Sequence, residues 1–95
     1  MEYNEILKLR KMLVDMQIPH EWRRVFDGHQ IGYPTLEPGK RVCSVVEHEY
    51  SYGHGADTLE IMGLLTEKEA VADHVLGGLT AGEVFRRIMQ DYGKR

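Results

Sequence analysis

The chain has 95 residues, 42% of them hydrophobic and 28% charged, and its 12 basic and 15 acidic side chains leave a net charge of -3. One core is what that length supports, so residues 1–95 read as a single domain, and the slight acidity argues against binding driven by nucleic-acid phosphates. No apolar run approaches the roughly 18 residues of a membrane span, the start lacks a signal-peptide pattern, and the lone Cys43 excludes an internal disulfide; the expected compartment is the cytoplasm.

Ile6, Leu9, Leu13 and Met16 recur on one helical face and predict a helix over about 3–17, stopped by Pro19. From His20 the chain turns aromatic and β-branched. Asp27-Gly28 is a hairpin signal, and as a two-residue turn it sets Phe26 opposite His29, Arg24 opposite Ile31 and Trp22 opposite Tyr33. Pro38-Gly39 marks the next turn, within a loop over 35–40. A third strand follows over about 41–52, with Val42, Ser44, Val46, His48, Tyr50 and Tyr52 on one face and Cys43, Val45, Glu47, Glu49 and Ser51 on the other.

Three pairs then read as helix starts: Asp57 with Glu60, Thr66 with Glu69, and Thr80 with Glu83, each a capping box or close to one. The last helix, over about 80–92, turns Val84, Phe85, Ile88 and Met89 inward and Arg86, Arg87 and Gln90 outward. Gly53-His54-Gly55 reads as the break between the sheet and the helical part, and Gly77-Gly78 as the break between the last two helices. The expected fold is therefore α+β: an N-terminal helix, a three-stranded antiparallel meander, and C-terminal helices packed on one face.

The densest set of acid-base and metal-capable groups is Glu47, His48, Glu49 and His54, but alternation along a strand points His48 away from the two acids, so a solvated strand end is the simpler reading. Cys43 has no histidine placed beside it by the sequence and reads as buried. The more suggestive set mixes aromatic and basic groups: Trp22, Arg23, Arg24, Tyr33, Arg41, Tyr50 and Tyr52. Trp22 and Phe26 are assigned to the core. Arg24, Tyr33, Arg41, Tyr50 and Tyr52 remain as the candidate surface for a ligand or partner, since such rings and guanidinium groups anchor interfaces and stack bases. Residues 47–73 hold seven acids and one lysine, a second candidate surface that mimics nucleic-acid phosphates.

Ile18-Pro19-His20-Glu21, Asp27-Gly28-His29-Gln30-Ile31, Tyr33-Pro34, Val42-Cys43-Ser44-Val45-Val46-Glu47-His48, Ser51-Tyr52-Gly53, the run from Leu59 to Thr66 and the run from Val75 to Ala81 together resemble a group of short uncharacterised proteins of gut Firmicutes and their prophages. The likeness covers nearly the whole chain and brings no assigned activity with it. It implies a phage or prophage setting, in the cytoplasm of a host cell, where small acidic proteins act by binding and blocking a host component. The expectation is a non-catalytic counter-defence inhibitor without cofactor or metal. It either captures a host immune protein, such as a CRISPR-associated or other defence nuclease, or sequesters a nucleotide second messenger between subunits. A homo-oligomer is expected, because the short sheet has edges and its third strand offers apolar groups on both faces. The alternative is a small metal-dependent enzyme using Glu47, His48, Glu49 and His54.

Overall fold

The N-terminal helix forms where its apolar spacing puts it: α1 (Asn4–Asp15) buries Ile6, Leu9 and Leu13 completely. The structure is a computed structural model, and it describes residues 3–49, 57–72 and 74–95. After α1 come β1 (Glu21–Val25), β2 (Gly28–Tyr33), β3 (Cys43–Glu47) and β4 (Leu59–Met62), then α2 (Glu67–Ala72), β5 (Val75–Leu79) and α3 (Ala81–Tyr92). The strands form one antiparallel sheet in sequential order, β1-β2-β3-β4-β5.

Register decides which side chains meet. Tyr33 pairs with Cys43, Ile31 with Val45, and Val45 with Ile61, so these side chains share one face of the sheet. All are enclosed, together with Leu59, Val84 and Ile88, and each such aliphatic side chain contributes about 1.5–3 kcal/mol on leaving water. Helices α1 and α3 pack on each other and cover this face, α1 over β2 and β3, α3 toward β4. Glu5 ties the helices together: its Oε1 accepts from the Ala81 N–H, 3.0 Å away, in the first turn of α3. No helix among the described residues is long and apolar enough to cross a membrane.

The α+β class and both long helices stand as expected, but among the described residues the sheet has five strands where the sequence suggested three. Asp57 and Glu60 do not open a helix. Leu59 and Ile61 alternate into the core as β4, and the Asp57 carboxylate caps α1 instead, accepting from Asn4 N–H at 2.9 Å and Glu5 N–H at 3.2 Å. A capping acid looks the same in sequence whether it serves its own helix or one 53 residues away. Gly77-Gly78 does not separate two helices either: both lie within β5, where the register advances three residues between Leu76 and Leu79 against two between Ile61 and Leu59. That is a β-bulge, with Gly78 at φ 73. The third strand ends at Glu47, short of the expected 52.

Other local readings hold. Thr66 and Glu69 form a reciprocal capping box at α2, and Thr80 accepts from Glu83 N–H at α3. The turn at Pro38-Gly39 closes with the Lys40 and Arg41 amides donating to the Glu37 carbonyl.

Candidate functional site

The hairpin between β1 and β2 turns one residue earlier than Asp27-Gly28 suggested. Val25 pairs with Gly28, so Phe26-Asp27 is the two-residue turn and Trp22 sits opposite Ile31. Moving the turn by one residue moves the register by two, which keeps every side chain on its expected face. The cause is Gly28. A Cβ there would overlap the Glu47 carbonyl of β3, so the glycine serves close strand approach and cannot leave the sheet for the turn.

The consequence falls on Phe26. The residue assigned to the core is 61% exposed at the hairpin tip, with its backbone in the left-handed region at φ 53. Its ring lies edge-on to His48, centroids 4.9 Å apart. Asp27 beside it is clamped from two sides: Oδ2 accepts from the Tyr3 hydroxyl at 2.6 Å and Oδ1 from Glu49 N–H at 2.8 Å. The Tyr3 hydrogen bond holds the Asp27 carboxyl below its ordinary range and pushes the Tyr3 phenol up to about 12. The tip is thereby fastened to the start of α1 and to the chain leaving β3. Farther along β1, Trp22 is half-buried, stacked on His29 at 4.1 Å with the Arg10 guanidinium 4.5 Å over its ring. Burial, then Arg24 and Arg10, lower the His29 pKa and favour the neutral ring.

Among the described residues, those expected at the surface scatter. Arg24 is exposed on β1 opposite His29. Tyr33 is enclosed, a correction to its assignment to the surface: its hydroxyl donates to Asp91 Oδ2 at 2.7 Å, and burial raises its pKa to about 12. Arg41 is half-buried two residues before β3, at the Tyr33 end of the sheet. Arg24 and Arg41 are thus separated by about six residues of strand, on the order of 20 Å. Tyr50, Tyr52 and His54 lie outside the described residues.

Glu47 is the sharper departure from the solvated strand end. Its side chain is fully buried, Oε1 accepts from Ile6 N–H at 3.1 Å, and Oε2 has no donor. Burial first, then the Asp57 carboxyl, push its pKa up to about 8, so at neutral pH Glu47 keeps its proton, while the pKa of Asp57 is lowered in turn. His48 is buried just past the end of β3, and Glu49 follows it, exposed. Among the described residues no three His, Cys, Asp or Glu side chains are placed to hold a metal ion. Cys43 is buried as read, its thiol pushed up to about 12 by burial first and Asp91 second.

A groove of about 680 Å³ runs between Leu64–Thr66 and α3, past Arg86, Arg87, Gln90 and Lys94. Arg87, expected to point outward, instead grips Glu69 with both terminal nitrogens at 2.8 Å and the Leu64 carbonyl at 2.9 Å. That pair holds the Glu69 carboxyl down to about 2. The sequence offered no sign of it, because the two residues belong to different helices. Phe26 had a sign: with Trp22 opposite Ile31, apolar meets apolar across the hairpin, whereas the Asp27-Gly28 turn sets Arg24 there. No family model, no curated protein and no solved structure matches the chain.

Proposed function

We propose that this protein is a small non-catalytic binding protein that works in the cytoplasm of a host cell as a counter-defence inhibitor, capturing a host immune protein such as a CRISPR-associated or other defence nuclease. The observation that carries the reading is Phe26. A bulky side chain at positive φ costs about 1–3 kcal/mol, and its exposed ring wastes apolar surface that the core could use. Asparagine or glycine fits the same turn position without either cost. The ring packs edge-on to His48 and still leaves most of its surface to solvent, which suits a rigid aromatic anchor on a tip fastened by Asp27. The likeness to prophage proteins supplies the setting. Protein capture is favoured over sequestration of a nucleotide, since Tyr33 is enclosed and Arg24 and Arg41 do not converge within one subunit.

The test separates fold from function. Phe26→Asn raises thermal stability by about 1 kcal/mol through relief of strain. The wild-type protein raises phage plating on hosts that carry a nuclease-based defence and co-purifies with that nuclease, and Phe26→Asn loses both effects. Full protection by the Asn variant, or release of a bound nucleotide from the denatured wild-type protein, would overturn the proposal.

A further inference from the structure

Among the described residues the sheet has two edges, β1 and β5, and they differ. The bulge at Gly77-Gly78 interrupts β5 and spoils it as a template for another strand. β1 pairs with β2 in unbroken register over all five residues. In a ladder closed by a two-residue turn the flanking pair, here Val25 and Gly28, directs its backbone groups inward, and alternation leaves Trp22 and Arg24 with N–H and C=O groups directed off the edge.

Charges on an edge strand normally repel further pairing, and β1 carries Glu21, Arg23 and Arg24. The signs, however, are arranged about Trp22. Glu21 and Arg23 flank it and share the sheet face turned away from the helices. Four antiparallel registers centred on residues 21–24 bring the outward backbone groups of two copies together. Those centred on Glu21, Arg23 and Arg24 each set a charge against its own kind on the axis. The fourth centres on Trp22, and there each Glu21 meets the Arg23 of the other copy. We propose that two copies of this chain join through β1 in that register, with Trp22 facing Trp22 of the partner subunit and a pair of symmetric Glu21–Arg23 contacts, extending the sheet continuously through the dimer.

A second observation points the same way. Leu7, Arg10 and Val14 recur at i, i+3 and i+7 along one flank of α1. Arg10 lies over the Trp22 ring, so this flank overhangs β1, while Glu5 on the other side reaches α3. Leu7 is 49% and Val14 54% exposed, unusual for large apolar residues on a helix that otherwise sorts its faces cleanly. A two-fold axis through Trp22, perpendicular to the sheet, sets the two flanks side by side on the same face and covers both residues. The ionic groups have capacity for the contact. Glu21 takes the Thr35 hydroxyl and the Leu36 N–H with Oε1, leaving Oε2, and Arg23 donates to Gln30 through Nε, leaving its terminal nitrogens.

Sedimentation equilibrium of the purified chain, over a dilution series, should show a monomer–dimer equilibrium. The fluorescence of the single tryptophan should follow it. Arg23→Glu and Glu21→Arg each place like charges across the junction and should each weaken the dimer at least about tenfold. An equimolar mixture of the two variants restores opposite signs at every contact and should form heterodimers, which also shows that both variants are folded. A chain that stays monomeric at every concentration overturns the proposal. So does a dimer indifferent to both substitutions, or a mixture that fails to associate.

Discussion

Replacing Glu47 by Gln tests the reading of the buried carboxyl beneath the first turn of α1. The wild-type side chain is fully enclosed with a pKa pushed from the ordinary 4.5 up to about 8, mainly by burial. A carboxyl whose folded pKa is raised binds a proton in the native state that the unfolded chain releases. Stability therefore falls as pH rises from about 4.5 to about 8 and is flat on either side of that window. At pH 7 the native state has been opposed over about 2.5 pH units, worth about 3 kcal/mol at 1.36 kcal/mol each. Coupling to Asp57, whose own pKa is lowered, trims this to about 2–3 kcal/mol. An amide is neutral in both states. Its oxygen can keep the bond from Ile6 N–H and its nitrogen can donate toward Asp57. Glu47→Gln should thus be about 2–3 kcal/mol more stable than the wild type at pH 7 and equal to it near pH 4.5. Urea titrations of both proteins at several pH values measure the difference. A variant less stable at pH 7, or an offset that does not change with pH, would refute the assignment of a buried, protonated acid.

Gly28→Ala drives a methyl group into the β3 backbone at Glu47 and should cost about 3 kcal/mol or more, read as a lowered urea midpoint; a neutral result would mean the strands are not that close. Cys43, with its thiol raised to about 12, should react with iodoacetamide at pH 8 only as fast as the chain unfolds, and quickly in urea; rapid alkylation of the native protein would contradict its burial. The Arg87–Glu69 pair depresses the Glu69 pKa, so its contribution is present above the ordinary 4.5 and fades as pH falls toward about 2. Thermal melts should show Glu69→Gln destabilised at pH 7 and level with the wild type at pH 2.

The long helices, α1 and α3, were legible because their information is local: apolar spacing names the buried face, Pro19 stops one helix and Thr80 starts the other within a few residues of chain. The Thr66–Glu69 box and the Pro38-Gly39 turn are local in the same sense. Cys43 and Val45 were assigned correctly to one face, since alternation needs no knowledge of the partner strand. Tertiary structure alone decided the rest. Asp57 carries a capping signature, yet the helix it caps starts 53 residues earlier, so the same residues could belong to a helix start or to the approach of a strand. Gly77-Gly78 reads as a break until β4 is present to pair around it. Asp27-Gly28 reads as the turn until β3 crowds Gly28 and pushes Phe26 to the tip. Glu47 looks solvated until α1 brings the Ile6 amide to it across 41 residues. In each case local chemistry allowed two conformations of similar cost, and the choice was made by a packing contact or hydrogen bond whose other half lies far away in sequence.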